Sequence, residues 1–459
     1  MKRTSVSGWI GRLSETQWLM ALGTLALMVR LLWALVMADR VPQLDEVQYI
    51  EHAVRLARGE GYVDGAGNPT AFWPVGYPAL LSLAYRLFGE SKATGIGLQI
   101  VIGVATCLLL SVAGTRLFHR EIGRWAGLLL AVYPNHVMYA TLHLGEPLFT
   151  LLLLAALIPV VSRSDPGLLR SITAGMLFGL ATLTRPLIFL FPLLLPLAWS
   201  KEDRRTGSAI RTGAVVFAAT MLTVSPWLWR NHGLTGRWTT LSTNGGDVFW
   251  VGNNPRALGG YRHPQDLREP LRVGDHFVRE RGYRLGLESI VEAPGRSMLR
   301  AMQKITYLFA IETDGSLWNL KGLTQPRPIL VTLLLLALAN VAYLLVLSSG
   351  LLGLMDSSAS PLFRRIFLLL VAYTIAIVMV FFGDPRYHLP LIPPLLLFSA
   401  QGALDKAPRL WRSVRAGESS VRRPLSAWGA LMVMLISMML LNLGLKWLET
   451  IVYGNDLWG

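Results

Sequence analysis

Apolar residues run along most of this chain in long blocks, broken by short stretches of Arg, Gly, Pro and other polar residues. The first block, Trp18 to Met37, has about the 20 residues that a helix needs to cross a bilayer core. Others follow at Thr94 to Thr115, Trp125 to Ala140, Pro147 to Val161, Leu168 to Leu183 and Pro186 to Trp199. The series continues through Ala209 to Trp229, Ile329 to Leu347, Ile366 to Phe382, Leu389 to Ala403 and Trp428 to Trp447. This pattern predicts an α-helical polytopic membrane protein with about eleven spans. Several blocks are shorter than a crossing, so tilted partners or broken helices shielded within the protein are expected there.

Composition supports the same class. Of 459 residues 53% are hydrophobic and 15% charged, against about a quarter charged in an ordinary soluble domain. The net charge of +15 would make nucleic acid a candidate partner of a soluble protein. Here the basic residues gather in short loops: Lys2, Arg3 and Arg12; Arg116, Arg120 and Arg124; Lys201, Arg204, Arg205 and Arg211; Arg364 and Arg365; and Lys406 to Arg423. With a cytoplasmic N-terminus every cluster falls on the cytoplasmic side of a plasma (inner) membrane. The expected partners are therefore membrane lipids and a phosphate-bearing lipid, not nucleic acid. This topology requires Pro74 to Gly89 to lie on the outer surface as a helix without crossing. The first apolar run is too long for a typical signal peptide and has no clear cleavage site, so it is expected to remain as an anchor. The single cysteine, Cys107, sits in an apolar run and supports neither an intramolecular disulfide nor a cysteine-rich metal site.

The expected organisation is a membrane module over 1–230 with a first outer loop at 38–93, a small extracytoplasmic α-rich insertion over 231–327, and C-terminal membrane helices over 328–459. Within the insertion, Asn and Gly around 243–255 read as loops. From Gln265 to Glu292 charges alternate with Leu267, Leu271, Phe277, Val278, Leu285, Leu287 and Ile290, which predicts a helix that Pro294-Gly295 ends. The glycines at 245, 246 and 252 form no dinucleotide fingerprint, because no βαβ pattern frames them.

The topology sends Asp45, Glu46, Tyr49, His143, Glu146, Arg185, Arg386, Tyr387 and His388 to one face. After Pro42, Asp45 is placed to cap a helix with a narrow apolar stripe at Val47, Ile50, Val54 and Ala57. Capping and a first-turn charge account for the doublet as readily as chemistry does. Glu146 likewise suits a solvated helix start before Pro147. Arg185 and Arg386 border apolar runs, where a guanidinium either snorkels to water or grips a phosphate through two parallel hydrogen bonds. Tyr387 suits an interfacial aromatic belt or the same phosphate. Arg30, inside the first span, is costly unless it snorkels or faces a cavity. His143 and Glu146, with Asp45, are too few to define a metal site, so no cofactor is assigned and a divalent metal is not indicated.

Several strings, taken in order, carry a family resemblance. They are Leu44-Asp45-Glu46-Val47-Gln48-Tyr49, Trp73-Pro74-Val75-Gly76-Tyr77-Pro78, Gly145-Glu146-Pro147-Leu148-Phe149, Leu183-Thr184-Arg185-Pro186, Ser225 to Asn231, and Pro385-Arg386-Tyr387-His388-Leu389-Pro390. Together they resemble the GT-C glycosyltransferases, in particular the ArnT and protein O-mannosyltransferase group. The resemblance spans roughly residues 18 to 405. It implies a GT-C fold, a polyprenyl-phosphate-linked sugar donor, and transfer on the outer face, usually with inversion, to an envelope acceptor that is a lipid, glycan or protein. The family's catalytic acidic residue falls on Asp45. The region after the last spans is shorter than in the larger members, which leaves the acceptor open.

The chemistry fits these residues. A sugar alkoxide is a poor leaving group and needs a dedicated acid, whereas a polyprenyl phosphate needs only a base for the acceptor hydroxyl and cations for the departing charge. Asp45 is accordingly expected to be the base, with Glu46 orienting acceptor or sugar hydroxyls. Glu146, Tyr49 and His143 join it as acceptor or sugar contacts, and Arg386, Tyr387, Arg185 and His388 as donor-phosphate ligands. Adjacent carboxylates should also raise one another's proton affinity. A transporter or flippase of lipid-linked sugars remains an alternative, although its polar residues would be spread through the spans. An O-antigen ligase-like enzyme is another, with its catalytic signal expected in a late outer loop.

Overall fold

The computed structural model describes residues 12–161, 166–199, 206–236, 238, 241–261, 275–355, 360–419 and 422–453. Lys2, Arg3, Lys201, Arg204, Arg205, Leu267 and Leu271, and the side chains of Phe277 and Val278, lie outside the described residues.

A capping box opens the first membrane helix, α1 (Glu15–Val36): the Ser14 hydroxyl accepts from the Gln17 amide and the Gln17 side chain accepts from that of Ser14. Two short helices follow, α2 (Asp45–Ala57) and α3 (Gly76–Phe88), each of 13 residues and so well short of a crossing. The chain then runs through α4 (Lys92–Leu117), α5 (Arg120–Val132), α6 (Glu146–Val161), α7 (Gly167–Thr184) and α8 (Thr206–Thr235). Next come α9 (Gly245–Asn253), α10 (Asp275–Glu292), α11 (Pro294–Leu308) and α12 (Asp314–Lys321). The last elements are α13 (Ile329–Leu354), α14 (Pro361–Val380), α15 (Ile392–Gln401), α16 (Ala407–Arg415) and α17 (Arg422–Tyr453). Among the described residues, strand pairing is confined to isolated bridges, Arg40 with Leu323 and Val63 with Pro69.

Seven of these helices are long and apolar enough to cross a membrane: α1, α4, α7, α8, α13, α14 and α17. The other expected spans are shorter or broken. Pro134 starts a new short helix after α5, α6 has 16 residues, and Pro186, Pro192 and Pro196 divide 186–198 into single turns. Proline has no N–H to continue the ladder and its ring clashes with the preceding turn. All ten residues of α15 are buried, consistent with a short helix screened from lipid by its neighbours.

One apolar core joins α1, α4, α5, α6, α7, α13, α14 and α15. A second, smaller core lies under the loops at one end, where Tyr49, Ala53, Tyr77, Leu81, Tyr85, Leu144, Leu148 and Leu389 meet. Arg30 does not snorkel. Fully buried, it donates to the carbonyls of Ala26 and Ala131 at 3.1 and 3.2 Å. Cys107 is buried beside it, its sulfur 3.5 Å from the guanidinium.

The helices of the 231–327 region pack back onto the membrane helices. Lys304 of α11 donates to Asn253 Oδ1 at 2.9 Å and to the Met379 carbonyl at 3.0 Å, tying α9 and α11 to the end of α14. Buried among these groups, the Lys304 ammonium is pulled down to about 7, first by burial and then by the Arg300 charge.

Candidate active site

Four chain segments bring charge to one point. Asp45 is the first residue of α2 and Glu146 the first of α6. The positive end of each helix dipole favours a carboxylate there. Arg185 stands where α7 stops, and Arg386 lies in the short 3-10 segment Pro385–Leu391 that precedes α15.

Arg386 is the hub. Its guanidinium reaches Asp45 Oδ2 at 3.2 Å, Asp384 Oδ2 at 3.2 Å and Glu146 Oε1 at 3.8 Å, with the Trp318 ring 6.0 Å away. Burial works against its charge, but Asp384, Asp45 and Glu146 hold its pKa well above the ordinary value. Arg185 ion-pairs with the same Glu146 oxygen, leaving Glu146 Oε2 buried without a partner. Glu146 is therefore a buried carboxylate shared by two cations, not the solvated helix start that its local sequence allowed. Gly76 lets α3 meet the end of α7, since an added Cβ would stand 2.7 Å from the Thr184 amide nitrogen. That contact sets Trp73 and Pro74 beside Arg185.

Two adjacent crevices border this cluster. The first has Glu146, Arg185, Arg386 and Tyr387 at its head and an apolar wall that includes Phe149, Ile188 and Leu370. The second shares Arg185 and Tyr387 and is bordered by Tyr49, Trp73, Ser242 and Asn244. A cationic head on an apolar slot suits an amphiphile with an anionic headgroup.

Comparison with known proteins agrees with this architecture. The family model described as dolichyl-phosphate-mannose-protein mannosyltransferase matches residues 73–229. No curated protein matches the chain in sequence. Archaeal oligosaccharyltransferase AglB from Archaeoglobus fulgidus, solved with an inhibitory peptide and a dolichol-phosphate, matches with a TM-score of 0.52 at 13% identity, covering 95% of this chain and 56% of AglB. The apo form of the A. fulgidus oligosaccharyltransferase gives 0.50 at 15% identity with the same coverages. The chain has the GT-C glycosyltransferase fold. It spans a little over half the length of these two structures, at 56%. ArnT from Cupriavidus metallidurans bound to undecaprenyl phosphate is also similar, with a TM-score of 0.44 at 15% identity, covering 88% of this chain and 79% of ArnT.

Within this GT-C fold the members of the acidic doublet part company. Asp45 keeps 26% of its side chain exposed, whereas Glu46 keeps none. Glu46 is gripped by both terminal nitrogens of Arg40 and accepts from the backbone amides of His143 at 2.7 Å and Gln43 at 3.0 Å. Arg40 also donates to the Thr141 carbonyl at 3.2 Å and the Trp318 carbonyl at 3.2 Å. The expectation that Glu46 orients a sugar hydroxyl gives way to a buried latch. Nor does its neighbour raise its proton affinity: burial pushes its pKa up, but His143 and Arg40 outweigh burial and hold it below the usual carboxylate range. The expected cap differs too. Leu44 is the N-cap residue, with φ 49° and no side-chain bond, and among the described residues it is the one non-glycine with positive φ.

His143 is fully buried, its Nδ1 3.6 Å from Glu46 Oε1, so it lines the latch instead of the crevice. Tyr49 stands edge-on to Trp73 and Tyr77 at 5.6 and 5.8 Å, and burial raises its hydroxyl well beyond neutrality. Tyr387 borders both crevices. His388 points away from them. Its ring stacks on Tyr343 and its Nε2 faces Glu312 Oε1 at 3.1 Å. Among the described residues no group of three or more His, Cys, Asp or Glu is arranged to hold a metal ion.

Sequence reasoning missed Arg40, Asp384, Trp318 and Glu312. Arg40 reads as an interfacial flanking charge. The signal at Asp384 was Asp-Pro-Arg: its side chain accepts from the Arg386 amide at 3.0 Å and so opens the 3-10 turn.

Proposed function

We propose that this chain is an integral-membrane glycosyltransferase that moves a sugar from a polyprenyl-phosphate donor to an envelope acceptor on the outer face. The observation that carries this reading is Asp45, part-exposed and ion-paired with Arg386, the guanidinium that stands at the head of an apolar slot. AglB, similar in fold, was solved with a dolichol-phosphate, which supports a donor of that class.

The donor phosphate sits between Arg185 and Arg386, with Tyr387 donating alongside, and the prenyl chain lies against Phe149, Ile188 and Leu370. Two guanidiniums match a phosphate in charge and geometry, and they stabilise it further as the glycosidic C–O bond breaks and negative charge grows on it. Asp45 takes the proton of an acceptor hydroxyl as that oxygen attacks the anomeric carbon from the face opposite the phosphate. The proton ends on Asp45, the electron pair of the broken bond ends on the phosphate, and the configuration inverts. Glu146, through its free Oε2, and Tyr49 contact sugar or acceptor hydroxyls. Glu46 and His143 act one step removed: with Arg40 they pin the start of α2 and so aim Asp45.

The test is sugar transfer by purified protein reconstituted with membrane extracts carrying lipid-linked sugars, alongside its Asp45→Asn variant. The proposal expects covalent transfer by the first and its loss in a folded, inserted second. Movement of the lipid-linked sugar across the bilayer without any transfer would replace it with transport.

A further inference from the structure

The phosphate-binding Arg386 shares its turn with a second, inward-facing assembly that the reaction described above does not use. His388 Nδ1 lies 2.7 Å from the Leu308 carbonyl. A carbonyl only accepts, so Nδ1 carries a hydrogen and points Nε2 at Glu312 Oε1, 3.1 Å away. Glu312 Oε1 accepts from the Tyr133 hydroxyl at 2.9 Å, and its Oε2 accepts from the Asn135 side-chain amide. Its backbone is held as well: Glu312 N donates to Asn340 Oδ1 at 2.9 Å, and its carbonyl accepts from Asn340 Nδ2 at 3.1 Å. Both members are buried, with side-chain exposures of 3% and 1%, and the Tyr343 ring stacks 4.7 Å from the imidazole.

This geometry fixes a turn. A 3-10 segment advances about three residues per turn, so positions two apart face different sides. Arg386 reaches Asp45 on one side while His388 reaches Glu312 on the other. Pro385 and Pro390 stiffen the segment between them. We propose that His388 and Glu312 form a buried protonated clamp that anchors Pro385–Leu391 and sets where Arg386 meets the donor phosphate. It rests on the reading of Arg386 as a phosphate ligand. His388 is then a positioning residue. The clamp ties the turn to the segment after α5, to the α11–α12 connection and to α13.

The charge state follows from the surroundings. Glu312 and Asp314 from the α11–α12 side, Tyr133 after α5 and Tyr343 of α13 face the pair. Burial lowers the His388 pKa, but Glu312, the Leu308 carbonyl and Asp314 outweigh it and raise it above the ordinary histidine value. The imidazolium is therefore present below that raised value, and the clamp is lost as pH rises through it.

The experiment measures affinity of the full-length, detergent-solubilised protein for farnesyl phosphate between about pH 7 and 9, above the phosphate's own second ionisation near 6. Wild-type affinity is expected to fall as pH rises. Glu312→Gln removes the counter-charge and is expected to move the midpoint to lower pH. His388→Gln is expected to bind about two- to thirtyfold more weakly at pH 7 and to lose the midpoint. Lys304, pulled to about 7, and Asp314, pushed up to about 7, titrate nearby. Lys304 donates to Asn253 and Met379, not Glu312, and Asp314 keeps its own transition when His388 is replaced, so loss of the midpoint in His388→Gln together with the Glu312→Gln shift assigns the transition. A merely structural pair would lower thermal stability without moving the midpoint. Flat wild-type affinity overturns the clamp even if neither variant folds, and so does an unmoved midpoint in folded Glu312→Gln. Failure to bind farnesyl phosphate at any pH overturns the donor reading and the clamp with it.

Discussion

The Asp45 carboxylate and the Arg386 guanidinium, 341 positions apart in the chain, meet at 3.2 Å. The contact joins the start of α2 to the turn before α15, and it sets the proposed base beside the cation proposed to receive the departing phosphate. Asp45→Asn keeps the shape and loses the proton acceptor. Positioned bases contribute about 10²–10⁴ in rate, so kcat is expected to fall by about that factor with thermal stability little changed. Activity within tenfold of wild type would assign the base elsewhere.

Arg386→Ala is expected to act chiefly on the donor. A hydrogen bond to a charged group contributes about 1.5–3 kcal/mol, so the donor KM should rise by about ten- to a hundredfold. The acceptor KM serves as the control. An equal rise in both would point to general collapse of the turn.

Glu46 is the partner whose loss should cost stability. Removing one member of a buried ion pair leaves the other charge uncompensated, at about 3–5 kcal/mol. Glu46→Gln strands Arg40 in this way, and a clear drop in the midpoint of thermal unfolding in detergent is expected. The sign with pH follows from the depressed Glu46 pKa: its contribution is complete above the ordinary value of 4.5 and is lost only as pH falls through the lower folded value. A stability gap between wild type and variant that is unchanged at acid pH would contradict the latch.

Leu44 carries backbone strain one residue before the proposed base. A non-glycine residue at φ 49° costs about 1–3 kcal/mol, and its side chain is largely exposed, so little burial offsets it. Glycine adopts this conformation freely but costs about 0.5–1 kcal/mol in unfolded-chain entropy. Leu44→Gly is therefore expected to leave stability equal or higher, as read by thermal unfolding. A marked loss would show that the leucine side chain makes contacts that outweigh the strain.

Lys304 predicts the same pH sign as Glu46, in a window several units higher. Its folded pKa of about 7 lies below the ordinary 10.5, so the unfolded chain binds more protons between these values and stability rises with pH across that window. Lys304→Met should flatten this rise in thermal midpoint. The same slope in the variant would assign it to other groups.

How much of this was legible in the sequence depends on the range of the interaction. Seven long apolar runs became helices long and apolar enough to cross a membrane, because hydrophobicity and length are local properties. The prolines that break 186–198 and delay α15 were visible, but whether a short apolar piece crosses depends on what surrounds it. Asp45, Glu146, Arg185 and Arg386 were each recognisable as charges at the edge of an apolar run. Their order matched a family pattern, yet nothing local distinguishes a snorkelling arginine from one held by three carboxylates. His388 shows the limit most clearly. Adjacent to Tyr387 in sequence, it turns to the other side of the 3-10 segment, toward a glutamate 76 residues earlier by the numbering of Glu312 and His388.

The sequence by itself determined the membrane class, the long apolar helices and the candidate charges, since these follow from composition, length and periodicity within a few residues. Only the tertiary structure decided the division of labour inside Asp45-Glu46. Two adjacent residues at the start of a helix point about 100° apart, so one carboxylate stays part-exposed against Arg386 while the other is buried against Arg40. Which was which depended on Arg40, His143 and Arg386, brought together by packing across the whole chain.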